Sequence, residues 1–292
     1  MRDYNFNEEI FDNIDSACKS YWLGFLFADA YVQKGTNYFC LELASKDIDI
    51  LNKFITFLGM KGKGLYHYTR NINGKIHHYD KIYFYSEKFT KSLKKLGFVN
   101  KTNEIIFDFD KIPNEFKKSF LLGLSDGDGT VYFNKKLKRS GWKLCLHEDL
   151  AKKIKKYLIK ELNHDKFTIS EKHHWRTTYL KEFYINGNRN VSIFLNWLYS
   201  NESVFLNRKY EKYIEFKKFT NNARINRKKP TSLSKYRGVL PSGNKYFAQI
   251  GVKGKSIYIG TFSTEIEAAL AYNEKAKFFF KDKAVLNHFN ES

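Results

Sequence analysis

Two stretches of the chain carry the same order of apolar periods. The first opens with YWLGFLFADAYV at 21–32, apolar on nearly every side of a helix. A strand-like NYFCLEL (37–43), a helical SKDIDILNKFITFLG (45–59), a strand KIYFYS (81–86) and a helix FTKSLKKLGF (89–98) follow. The second opens with SFLLGLSDGDGTV at 119–131. It continues through a strand and helix in GWKLCLHEDLAKKIKKYLIKELN (141–163), a strand KEFYING (181–187) and a helix VSIFLNWLY (191–199). The apolar spacing switches between two and about 3.6 residues at equivalent places, the signature of alternating strand and helix. We therefore expect an α+β protein with two αββαββα repeats, about 16–110 and 114–215, related by a pseudo-twofold within one domain, 1–216.

From 217 to 234 the sequence is polar, basic and free of acids, which predicts a linker or an arm on phosphate. Residues 235–290 form a second unit: YRGVL, YFAQIGV and SIYIGTF read as three short strands with glycine-containing turns. TEIEAALAYNEKAKFFF then reads as an amphipathic helix capped by Ser263 or Thr264, with a stripe including Ile266, Ala269, Leu270 and Tyr272. A small three-stranded antiparallel sheet backed by a helix is expected there. Phe247, Ile250, Ile259 and Phe262 are expected in its core.

Charge narrows the function. The formal net charge is +20 in 292 residues, and 17% of residues are aromatic. Such an excess strains the compact state and favours a polyanionic partner, nucleic acid first. Cys18, Cys40 and Cys145 have neither metal spacing nor a disulfide framework, as expected of thiols in a reducing compartment. Residues 1–13 contain no apolar signal core, and the longest apolar stretch, 21–32, is too short to span a bilayer. The expectation is an intracellular, cytoplasmic protein, neither secreted nor in a membrane.

The chemistry lies in the two opening helices. In each, an aspartate follows a glycine by five residues: Gly24 and Asp29, Gly123 and Asp128. A second small residue, Ala28 or Gly127, stands four after that glycine, so each helix has a flat ridge along which the other can approach. Packed about a twofold, the ridges would bring both carboxylates together. Adjacent carboxylates repel unless a cation separates them, and a hard divalent ion suits an oxygen cluster. Against DNA such a site polarises a phosphate and activates water for in-line attack. SDGDGT (125–130) is not a calcium loop of the helix–loop–helix kind, because Val131 and Leu137 stand where that loop needs Gly and Glu. The adjacent pairs His77–His78 and His173–His174 are poor chelates, since strand neighbours point to opposite faces. They read as surface or DNA-facing residues.

YWLGFLFADAY and FLLGLSDGDGT resemble the paired motifs of the LAGLIDADG homing endonucleases. LGFVNKTNEI (96–105) with Pro113, and LYSNESVFLNRKY (198–210), extend the resemblance over about 1–215. The resemblance implies a saddle of two four-stranded sheets on DNA. It makes Asp29 and Asp128 the metal-binding catalytic carboxylates, with Ala30 and Gly129 completing the metal set and Lys88 and Arg189 as supporting bases by position. The ion implied is Mg²⁺, with Mn²⁺ as the alternative. The partner implied is a long, asymmetric double-stranded target cut on both strands by a monomer, free-standing or intron-encoded. Phe27 departs from the pattern where acids are common, and Ala30 replaces a glycine, which predicts a tilted helix end. YRGV (236–239), IYIGTFSTEIEAALAYN (257–273) and AVLNHF (284–289) resemble the APETALA2-type domain of ethylene-response factors. That resemblance puts Arg237, Gln249 and Tyr258 at DNA contacts, with Tyr246, Lys253 and Lys255 on the same face. The competing reading is a cleavage-inactive DNA- or RNA-binding member of the first family, an intron maturase or a regulator.

Overall fold

The computed structural model describes residues 5–61, 64–98, 107–134, 136–137, 139–171, 180–225, 234–252 and 255–289. The chain divides into two compact units, residues 1–222 and 223–292.

Unit 1 contains both expected copies. The first runs α1 (Ala17–Asp29), β1 (Ala30–Val32), β2 (Tyr38–Ala44), α2 (Ile48–Leu58), β3 (Tyr66–Ile72), β4 (Lys75–Tyr85) and α3 (Glu87–Lys95). The second runs α4 (Lys117–Asp128), β5 (Thr130–Asn134), β6 (Arg139–His147), α5 (Glu148–Leu162), β7 (Thr168–Glu171), β8 (Leu180–Asn186) and α6 (Asn188–Leu198). The sheets have matching orders, β1-β2-β4-β3 and β5-β6-β8-β7, antiparallel throughout. Even the helix stops correspond: α2 ends on Gly59 (φ +64°) and α5 on Asn163 (φ +46°), residues suited to the left-handed conformation.

A helix apolar all round belongs inside, and α1 and α4 sit at the centre of one continuous core. Tyr21, Trp22, Leu23, Phe25 and Leu26 are buried, as are Phe120, Leu121, Leu122 and Leu124. The two helices touch along their glycines. A Cβ on Gly24 would fall on the Phe120 carbonyl oxygen, and one on Gly123 would fall on that of Tyr21 and lie 2.8 Å from the Phe25 nitrogen. A side chain at either position would force the backbones apart.

The β3–β4 hairpin is longer than its apolar pattern suggests. Its core-side positions include His67, Thr69, His78 and Asp80, so apolar alternation is lost there. Asp80 is fully buried and pairs with His67. The reversal is made by Asn73 and Gly74, both at positive φ (+52° and +80°), as a two-residue hairpin turn requires.

The expected linker begins later than its composition suggests. Helix α7 (Asn207–Ile225) continues through 217–225. Tyr213, Phe216 and Phe219 recur every three residues; Phe216 is buried and Phe219 stacks on Phe133 of β5 at 5.3 Å. Three aromatic residues recurring along α7 hold a segment that is otherwise mostly polar.

Unit 2 is the expected sheet and helix: β9 (Val239–Ser242), β10 (Lys245–Val252), β11 (Lys255–Phe262) and α8 (Glu265–Phe280), with order β11-β10-β9. Thr264 caps α8 in a capping box with Glu267. Tyr236, Val239, Ala248, Ile250, Ala268, Ala269, Tyr272 and Ala276 make a separate core. Ile266 and Leu270, expected in the stripe, are 52% and 49% exposed. Small alanines, not these larger residues, face the sheet, because a short three-stranded layer packs closely on the helix. Among the described residues no helix is long and apolar enough to cross a membrane.

Candidate active site

The packed glycines bring the carboxyl-terminal ends of α1 and α4 to one place. Beyond Gly24 and Gly123 the next contact is Gly127, where a Cβ would meet the Ala28 methyl and lie 2.7 Å from Asp29 Oδ2. The Asp29 carboxylate therefore rests against α4 one residue before Asp128. Asp128 is exposed and Asp29 half-buried.

After each aspartate the backbone leaves the helix identically. Ala30 has φ −82°, ψ 161° and donates its N–H to the Leu26 carbonyl; Gly129 has φ −73°, ψ 154° and donates to that of Ser125. The tilted end expected at Ala30 is absent. Extended backbone of this kind accepts any residue, so alanine changes nothing there.

The acidic position of the second motif is structural. Asp126 is 1% exposed and accepts hydrogen bonds from Leu206 N (2.7 Å), Tyr21 Oη (2.9 Å) and Tyr199 Oη (3.2 Å). Burial pushes its carboxyl up to about 6, against the pull of these donors and of Lys209. It ties α4 to α1, to the residue after α6 and to the start of α7. In the first copy Phe27 occupies the equivalent position and packs among Phe98, Phe107 and Phe120, at 5.2, 4.4 and 6.0 Å. An aromatic cluster there replaces the buried acid.

Neither supporting residue expected by position joins the aspartates. Lys88 is exposed and donates to Glu9 Oε1 at 2.8 Å, an ion pair that raises its pKa. Arg189 is exposed in the first turn of α6. Both follow the last strand of their copies and open surface helices, whereas the aspartates end the central pair.

The basic residues beside the aspartates come from α7. Lys209 donates to three carbonyls at the end of α4: Ser125 at 2.8 Å, Gly127 at 2.9 Å and Gly129 at 2.7 Å. An ammonium has three protons, and here each has a carbonyl. Burial lowers the Lys209 pKa to about 8, with the nearby charge of Arg208 adding to it; Asp126, Asp29 and Asp128 pull it back up. Lys209 is thus within electrostatic reach of both motif aspartates. Arg208, beside it, forms a bidentate pair with Asp47 at 2.8 and 2.9 Å. It lines one cleft with Asp29, Glu42, Asp126 and Gly127. Sequence pattern does not single out this lysine. Its only signal is its place in LYSNESVFLNRKY, eleven residues after a helix that composition does not connect to α4.

Among the described residues no three His, Cys, Asp or Glu side chains cluster as a metal site. The donors at the helix ends are two carboxylates and backbone oxygens, hard ligands that leave most of a coordination shell to water and phosphate. That is the ordinary setting for Mg²⁺.

In unit 2, Gln249 and Tyr258 are cross-strand partners on the face away from α8, where Ser256 Oγ donates to Gln249 at 2.9 Å. Tyr258 is 63% exposed, and Arg237 and Lys255 are exposed. Tyr246 does not share that face: it packs on the unit's core beside Phe262, its partner in β11. Phe247, expected in the core, lies instead against Tyr258 at 6.4 Å. The alternation fixes both, since buried Ala248 puts Tyr246 on its own side and Phe247 on the other. Lys253, His173 and His174 lie outside the described residues.

No protein-family model matches the sequence, and no curated protein does. Among solved structures, the chain is similar to the homing endonuclease I-WcaI bound to its DNA recognition sequence. The identity is 16%, covering 66% of this chain and 81% of that one, with a TM-score of 0.49. It is also similar to the N-terminal LAGLIDADG domain of DUF199/WhiA (18% identity, 68% and 90% covered, TM-score 0.41). A third is I-SmaMI bound to an uncleaved DNA target with calcium ions (14%, 72% and 93%, TM-score 0.45).

Proposed function

We propose that the protein is a metal-dependent, site-specific endonuclease that cuts both strands of duplex DNA, with Asp29 and Asp128 as the catalytic carboxylates. The observation that carries this reading is the contact of the Asp29 carboxylate with Gly127 at the end of α4, beside Asp128 and close to Lys209. Two like charges held at one point by interlocked backbones are costly, and a bound cation offsets that cost. Mg²⁺ held by Asp29, Asp128 and the backbone of Ala30 and Gly129 would act as a Lewis acid on the scissile phosphate and its attacking water.

The chain's own residues supply the rest. Lys209 is held by three carbonyls, so its charge cannot swing away, and it neutralises the negative end of α4 where a phosphate must approach. It is the supporting basic residue, acting through its charge, in place of Lys88 and Arg189. Arg208 is orientated by Asp47 at the cleft wall. Unit 2 adds affinity through Arg237, Gln249, Lys255 and Tyr258, as a second DNA-binding module on the same duplex. We read the chain as a monomer with a long asymmetric target, because one chain already carries both copies of the motif, with Asp29 in one and Asp128 in the other.

The test uses targets selected from a random duplex library in Mg²⁺. Asp29→Asn and Asp128→Asn should each abolish double-strand cutting while retaining binding. Full cutting by both variants would sink the assignment. Tight binding with no cutting by the unaltered protein, in Mg²⁺ or Mn²⁺, would favour the binding-protein reading.

A further inference from the structure

The outer faces of the two sheets in unit 1 differ in chemistry. On the first sheet, Phe39, Leu41, Ile82 and Phe84 face the core, so their neighbours face out. Those outward positions carry Tyr38, Tyr83 and Tyr85 on β2 and β4, Tyr66 and Tyr68 on β3, Tyr79 on β4 and Tyr31 on β1. On the second sheet the outward positions of the described strands hold two tyrosines, Tyr132 and Tyr184, among Thr130, Asn134, Lys143 and Asn186.

Four of these tyrosines, Tyr66, Tyr68, Tyr79 and Tyr83, are not open stacking platforms. Lys81 Nζ sits 5.0, 5.2 and 5.3 Å from the ring centroids of Tyr66, Tyr68 and Tyr83. Tyr68 and Tyr79 stack on each other at 5.7 Å, and the Arg70 guanidinium lies 5.0 Å from both. Arg70 is also paired with Glu42 at 2.9 Å, so its charge is engaged within the protein. With the faces of these four rings covered by cations and by other rings, and with Tyr85 tilted at 58° against Tyr38 at 5.2 Å, this surface presents ring edges. Edges make apolar contacts but do not intercalate between unpaired bases. In a duplex major groove the apolar feature of a base pair is the thymine methyl group.

We propose that the first sheet recognises its half of the target through thymine methyl groups, so that half is A·T-rich. The second sheet reads the other half by hydrogen bonds from its Thr, Asn and Lys side chains. This rests on the duplex-DNA reading above and goes beyond it in assigning a different recognition chemistry to each half.

The experiment replaces thymine by uracil, which lacks only the methyl, in a selected duplex target, one side of the cut centre at a time. Uracil on one side should weaken binding by about fourfold for each methyl removed, while uracil on the other has little effect. Tyr83→Ala and Tyr85→Ala should bind the thymine and uracil forms of the sensitive side alike. Tyr85→Phe, which keeps the ring edge, should retain the discrimination. Tyr85 is 70% exposed, so its variants are expected to fold, and melting curves check this. Equal sensitivity on both sides, or none on either, overturns the inference and leaves the nuclease reading standing. So does discrimination that survives both alanine variants or that is lost in Tyr85→Phe. Binding to no duplex at all overturns both, and preference for single-stranded pools shows that the rings stack after all.

Discussion

At the scale of single residues, two ionisable groups beside the motif aspartates, Lys209 and the buried Asp126, lead to different experiments. Lys209 is half-buried against three carbonyls, within electrostatic reach of both aspartates. Lys209→Met keeps the stem and removes the charge, and we expect about a hundredfold slower cutting, as for loss of other positioned charges near a reacting phosphate. Affinity should change much less, so single-turnover rates and binding isotherms separate the two effects. Asp126 bears on stability. Its carboxyl titrates near 6 when folded and near 3.8 otherwise, so folding takes up a proton between those values. For an acid whose pKa is raised, the contribution is fully present below about 4 and lost as pH climbs through about 6. The size is about 3 kcal/mol for a shift of this order. Asp126→Asn, which can still accept from Tyr21 and Leu206, should remove that slope. Denaturant melts at pH 4, 5, 6 and 7 check it; a variant with an unchanged slope would contradict the burial argument.

At the scale of elements, the α1–α4 pair decides where the two motif aspartates meet. Gly24 and Gly123 each lie against a backbone carbonyl of the other helix. A methyl at either must separate two backbones, which side-chain rotation cannot relieve. We expect Gly123→Ala to cost about 3 kcal/mol or more, at the upper end for overpacking. Cutting should fall further than stability alone explains, because separating the helices also pulls Asp29 from Gly127. Ala30→Gly is the matching control: Ala30 and Gly129 share one extended conformation, so cutting should be unchanged within about twofold. The same close approach explains why small residues recur in both motifs on a four-residue spacing.

At the scale of the whole molecule, charge and modularity make the prediction. If the protein of +20 binds duplex DNA as proposed, it releases counterions, and its affinity should fall steeply with salt. Unit 2 has its own core and exposed Arg237, Lys255 and Tyr258. Removing residues 231–292 should weaken target binding and flatten its salt dependence, by about one unit of slope for each phosphate that unit 2 neutralises. Cutting by the bound enzyme should persist. An unchanged slope would remove unit 2 from the interface. Chelating the divalent ion should stop cutting in both forms while leaving binding, as measured by mobility shift.

Local order along the chain determined much of this by itself. The repeat, the inner strands and the helices of each copy, and the matching positions of the two aspartates were legible because period and small-residue spacing are properties of adjacent residues. So was the three-stranded unit with its capped helix. What lay between distant segments was not legible. Lys209 reaches Gly127 of α4 from 82 positions away, and only the packing of α7 puts it there. The continuation of α7 past 216 was hidden by lysines and asparagines until Phe133 offered Phe219 a surface. Tyr246 and Phe247 exchanged faces relative to expectation, because facing is set by what lies beneath the strand, and α8 supplies it. Sequence determined which groups exist and in what local conformation; the tertiary structure decided which of them meet, since contact and burial arise between segments that the chain order leaves apart.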